Sequence, residues 1–70
     1  MNAFIALDVG GTQIKSAILA EGRLSSISRD AALAREDAET ILGNLAGIIA
    51  ARQAELTAQG HTLAGVGLAF

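Results

Sequence analysis

Cysteine, proline, tryptophan and tyrosine are all missing from this sequence, aromatics are limited to two phenylalanines, and His61 is the single histidine. Without cysteine no disulfide braces the chain, and one histidine alone cannot build a structural zinc site. No apolar run approaches the roughly 20 residues of a membrane-spanning helix, and Met1-Asn2-Ala3 leads into apolar residues without a basic flank. Neither a membrane span nor a secretory leader is expected, and the reading is cytoplasmic. Five Lys and Arg stand against seven Asp and Glu, a net charge of -2. That balance offers no basic face to follow a nucleic-acid backbone, so nucleic acid is excluded as a partner.

What is present is a chain of 70 residues, 51% hydrophobic and with eight glycines, the profile of a packed α/β interior. A core this small leaves little margin over conformational entropy. With disulfides and metal excluded, a partner chain or further polypeptide is expected to complete it. The continuous apolar run inside residues 3–8 reads as a central strand covered on both faces. Residues 9–12 break it with two glycines, read as a tight turn admitting positive φ. A second strand over 13–20 then closes a hairpin. The turn signal Ala20-Glu21-Gly22 introduces a short, polar third strand over 23–29.

Over residues 37–59, Ala38, Ile41, Leu42, Leu45, Ile48, Ile49, Arg52 and Leu56 recur at three- and four-residue steps, which predicts an amphipathic helix. Glu36, Asp37 and Glu39 complement its dipole, and Gly60 stands where a left-handed stop is wanted. Gly43 and Gly47, four apart, predict a close approach to a neighbouring element. Residues 63–70 read as a buried fourth strand that ends inside the core, and a truncation or nick after Phe70 is expected.

The residues that carry chemistry are Asp8-Val9-Gly10-Gly11-Thr12. Glycines without side chains let successive backbone N–H groups point at one oxyanion, Thr12 adds a hydroxyl, and Lys15 brings a cation three residues on. A carboxylate such as Asp8 beside a phosphate calls for an intervening cation, and Mg²⁺ accepts one or two carboxylates together with phosphate oxygens and water. From the residues alone, a phosphate cradle and an ordinary glycine hairpin both remain open.

The stretch Ile5-Ala6-Leu7-Asp8-Val9-Gly10-Gly11-Thr12-Gln13-Ile14-Lys15 resembles the opening of the ROK family (repressors, open reading frames and sugar kinases). The polar third strand, the long helix and Ala64-Gly65-Val66-Gly67-Leu68-Ala69-Phe70 extend the resemblance over essentially the whole chain. Many members carry Lys directly after the Thr; Gln13 stands there here, which shifts interest to Lys15. The resemblance implies an α/β fold, an actin-like (ribonuclease-H-like) ATPase half-domain with three antiparallel strands, a crossover helix and a parallel fourth strand. It also implies ATP and Mg²⁺ as cofactors, with Asp8, Gly10, Gly11, Thr12, Gln13 and Lys15 at the ATP phosphates and Asp8 on the metal, directly or through water. The substrate would be a hexose or amino sugar, and the intact protein could be a homodimer.

The family's base, second phosphate loop, sugar contacts and zinc-binding His and Cys cluster correspond to positions beyond Phe70. Residues 1–70 alone are therefore expected to be inactive. His61 is read as a surface loop residue, and Glu21, Asp30 and the helix acids as solvated. Three alternatives remain. A sugar-responsive regulator of the same family would carry a DNA-binding domain ahead of the glycine motif. A non-catalytic fragment would fold only with a partner chain. A ribonuclease-H-type nuclease would need further carboxylates.

Overall fold

A computed structural model describes residues Met1–Phe70. It is an α/β fold: four strands in one mixed sheet and a single helix, in the chain order β1 (Asn2–Val9), β2 (Gln13–Ala20), β3 (Arg23–Ala31), α1 (Ala38–Ala58), β4 (Thr62–Ala69). The strands lie side by side as β3-β2-β1-β4. β1 pairs antiparallel with β2, β2 antiparallel with β3, and β1 parallel with β4. Only a crossover can bring β4 parallel to β1, and α1 provides it.

The two hairpins differ in their turns. Between β2 and β3, Glu21 and Gly22 both lie at positive φ, 55° and 75°, as a two-residue loop matched to strand twist requires. Between β1 and β2, neither Gly10 nor Gly11 does, which corrects the expectation from the paired glycines. The helix begins at the N-cap Asp37, whose side chain accepts from the Thr40 N–H at 2.8 Å. It stops before Gly60, whose φ of 85° takes the left-handed conformation a helix terminator favours.

Ala3, Ile5 and Leu7 of β1 and Ile14 and Ile18 of β2 are buried beneath Ile48 and Leu56 of α1. Successive strand residues face opposite sides, so the residues between them form the other face of the sheet. No element covers that face: Phe4 is 45% exposed, Leu24 59% and Ile27 61%. The apolar run of β1 thus suits a central strand, but the expected second layer is not supplied. β4 is an edge strand with Val66 and Leu68 exposed, not the buried strand read from its composition. Leu42 of the periodic stripe is also exposed, while its neighbours Ile41 and Leu45 are half-buried, so the packed face of α1 passes beside Leu42 and leaves it outside. Gly43 and Gly47 have no neighbour within 4 Å of where a Cβ would sit, so the expected close approach is absent there.

The third strand runs two residues longer than its composition predicts and contains a bulge. The register shifts between Ser16 and Ile18, so that Ser26 and Ile27 together oppose Ala17. Ser26 takes φ 55°, a conformation more usual for glycine at this type of bulge. Arg52, buried in the apolar stripe of α1, donates from Nη2 to the Ser26 carbonyl and pairs through Nη1 with Glu55 at 2.8 Å. A cation inside the stripe is thereby explained by an acceptor that the bulge turns toward the helix.

Candidate functional site

The β1–β2 hairpin brings the motif residues together at one end of the sheet. Asp8 is opposite Lys15, and Val9 opposite Ile14, with Gly10 to Thr12 forming the connection. The Gly10 N–H donates to the Gln13 carbonyl at 3.0 Å, which closes the turn. A Cβ on Gly10 would lie 3.0 Å from that same carbonyl oxygen, whereas one on Gly11 would meet nothing within 4 Å. The two glycines therefore have different causes: Gly10 permits the backbone to close, and Gly11 leaves space in front of it.

That division revises the simple cradle. The Gly10 N–H is engaged within the hairpin, while the Gly11 and Thr12 N–H groups have no backbone acceptor. Both residues are exposed, as is Gln13. The Thr12 carbonyl accepts from the Ala32 N–H at 3.1 Å, which ties the hairpin to the end of β3. Two adjacent donors free of backbone acceptors on an exposed, anchored loop are available to an anionic oxygen at little reorganisation cost.

Asp8 and Lys15 lie on the open face of the sheet, opposite the helix, and both are exposed. No ion pair forms between them; the single salt bridge in the chain is Arg52–Glu55. They border a shallow depression of about 320 Å³ floored by Ala6, Ala17, Leu24 and Ile27. No group of three or more His, Asp or Glu side chains is clustered, so a metal at the hairpin would have Asp8 as its protein carboxylate and would draw its other ligands from phosphate and water. Mg²⁺ tolerates such a sparse protein shell, so the residues present fit it.

His61 is half-buried rather than fully on the surface: its N–H donates to the Leu56 carbonyl at 2.9 Å, and its Nδ1 is enclosed without a partner. Asp30 and Glu21 are exposed, as expected. Glu55 departs from the other helix acids by pairing with Arg52. One residue that spacing did not single out is Arg29, which the β2–β3 register sets opposite Lys15. Nothing local in the sequence signals that pairing, because it depends on the bulge. No helix is long and apolar enough to cross a membrane. Comparison with protein-family models, with curated proteins and with solved structures finds no match.

Proposed function

We propose that this chain carries the phosphate-binding hairpin of an ATP-dependent sugar kinase of the ROK type, within an actin-like, ribonuclease-H-like half-domain. The observation that carries the reading is the asymmetric hairpin. Gly10 closes the turn against Gln13, while the Gly11 and Thr12 N–H groups stay unpartnered beside Asp8 and Lys15. An ordinary hairpin has no need of two free donors, an exposed hydroxyl and a carboxylate next to a cation at one tip.

On this reading Gly11 and Thr12 donate to phosphate oxygens, and the Thr12 hydroxyl adds a third donor. Lys15 offsets phosphate charge from the open face, and Gln13 presents its amide at the mouth of the turn. Magnesium bound with the nucleotide would neutralise phosphate charge near Asp8, which would hold it directly or through water. Phosphoryl transfer to a hexose or amino-sugar hydroxyl depends on positioning and charge stabilisation, so the hairpin supplies one component of a larger site. Residues 1–70 alone are inactive on this account.

The test is Asp8→Ala in the intact kinase, with circular dichroism to establish that the fold is kept. Turnover should fall by at least about a hundredfold, in line with losing a preorganised electrostatic contact. Turnover equal to the parent would overturn the assignment.

A second reading, a non-catalytic module that docks on another polypeptide, is favoured by a different observation. Only 11 of 70 residues are buried, and Phe4, Leu24 and Ile27 lie on an uncovered face. Apolar exposure of this kind marks an interaction surface. If docking is the whole function, Asp8→Ala leaves partner binding intact and no phosphate ligand binds the parent protein.

A further inference from the structure

The open face of the sheet carries a row of three charged residues just below the hairpin. Asp8 on β1 is opposite Lys15 on β2, and Lys15 is opposite Arg29 on β3. With strands about 4.8 Å apart, the row spans roughly 10 Å. Two cations directly opposite each other on one sheet face repel and weaken the pairing. Nothing in the chain relieves this on the Arg29 side, since neither cation takes part in an ion pair.

The juxtaposition is also produced by a strained feature. Nearest the Glu21-Gly22 turn, Ala20 is opposite Arg23, Leu19 opposite Leu24 and Ile18 opposite Ser25. Continued without interruption, that register would place Ser28 opposite Lys15 and turn Arg29 to the helix side. The extra residue at Ser26 and Ile27 shifts the ladder by one, so Ser28 falls opposite Ser16 and Arg29 opposite Lys15. Ser26 adopts a left-handed φ of 55° to do so, and the buried Arg52 holds its carbonyl. Bulges commonly re-aim a side chain beside a functional site, and local strain of this kind points to a use.

We propose that Arg29 is a phosphate-binding residue, forming with Lys15 a two-cation clamp for the polyphosphate tail of a nucleotide on the open face below the hairpin. The proposal rests on the phosphate-site reading given above. A polyphosphate lying from the Gly11 and Thr12 donors down across Lys15 and Arg29 removes the cation–cation repulsion. Asp8, opposite Lys15 at the other end of the row, would then face the tail through the magnesium bound to it.

The experiment is calorimetric titration of the protein with magnesium pyrophosphate, comparing the parent with Arg29→Gln, Lys15→Gln and Arg23→Gln. Arg23 lies on the same strand but outside the row, opposite Ala20, and so controls for diffuse charge. Far-ultraviolet circular dichroism and thermal melting establish that each variant is folded. Arg29→Gln and Lys15→Gln should each weaken binding by about tenfold, as expected for loss of one charge-assisted hydrogen bond, with Arg23→Gln within about twofold of the parent. If Lys15→Gln weakens binding and Arg29→Gln does not, the clamp is wrong and the phosphate site stands. Equal loss in Arg23→Gln also overturns the clamp, leaving a diffuse charge effect. Absence of binding by the parent overturns the phosphate site itself and the clamp with it.

Discussion

Replacing each hairpin glycine with alanine separates folding from binding. In the folded state a Cβ at position 10 would stand 3.0 Å from the Gln13 carbonyl oxygen, where ordinary contact begins at 3.4 Å. Relief requires about 0.4 Å of movement by backbone, which lengthens the 3.0 Å bond from the Gly10 N–H to the same oxygen beyond useful hydrogen-bond range. The loss amounts to about 0.5–1.5 kcal/mol. At position 11 a Cβ enters open space, and φ there is not positive, so the folded state tolerates it. Alanine at either site reduces the freedom of the unfolded chain by a similar amount, about 0.4–1 kcal/mol.

Because that unfolded-state contribution is common to both variants, it cancels in their difference. Gly10→Ala should therefore be less stable than Gly11→Ala by about 1 kcal/mol, with Gly11→Ala at or above the parent. Urea denaturation followed at 222 nm reads this directly. For a chain this small the denaturant slope is about 1 kcal/mol/M, so the two midpoints should differ by about 1 M. Equal midpoints, or Gly10→Ala above Gly11→Ala, would refute the account of the turn. Function should divide the other way: Gly11→Ala adds a methyl in the open space at the proposed phosphate site and should weaken magnesium pyrophosphate binding while leaving stability intact.

Arg52→Ala should destabilise the fold by about 2–3 kcal/mol in the same denaturation assay, since it leaves the Ser26 carbonyl without its donor and removes a buried stem. Ser26→Gly should stabilise by about 1 kcal/mol, because glycine adopts φ 55° without steric cost. Glu21→Asn should raise the thermal midpoint by several degrees, since Asn suits the first positive-φ position of the β2–β3 turn. Hydrogen bonding from the Thr40 side chain, and then from its backbone N–H, holds the Asp37 carboxyl below the usual aspartate value. The folded-state value is the lower one, so this cap's contribution is complete above the unfolded-state value and disappears as pH falls through the folded one. Stability should thus decline below about pH 4. Asp37→Asn, which keeps an acceptor, should lessen that decline, and an unchanged acid slope would count against the cap as its source.

The parts legible in the sequence are those governed by neighbours in the chain. Gly10-Gly11 and Glu21-Gly22 mark both hairpins, and the three- and four-residue steps from Ala38 to Leu56 mark the helix. Gly60 marks its end. Each signal is local, and the helix lies one residue inside each expected bound. That Asp8 and Lys15 come together was legible for the same reason, since a hairpin folds the candidate segment back on itself. The conformations of Gly10 and Gly11 were not, because two glycines permit positive φ without requiring it. Nor was the exposure of β4. Its composition reports apolar side chains and cannot say whether a fifth strand lies beyond it.

Arg52 shows why the remainder resisted local reading. By position it belongs to the apolar stripe, and by chemistry it does not; a periodicity argument can only register it as an interruption. Its partner is a carbonyl on β3, 26 residues away, which turns toward the helix only because Ser26 adopts a left-handed conformation. That conformation in turn shifts the register by one residue and brings Arg29 opposite Lys15. A part-buried contact between helix and edge strand is thereby linked to which charges share the face beneath the hairpin. Two substitutions in the folded protein examine that linkage. Arg52→Ala should loosen the bulge and weaken magnesium pyrophosphate binding although residue 52 is remote from the ligand, whereas Ser26→Gly should preserve the bulge and the binding together. Unchanged affinity in a folded Arg52→Ala would separate the bulge from the site and leave Arg52 with a purely structural role.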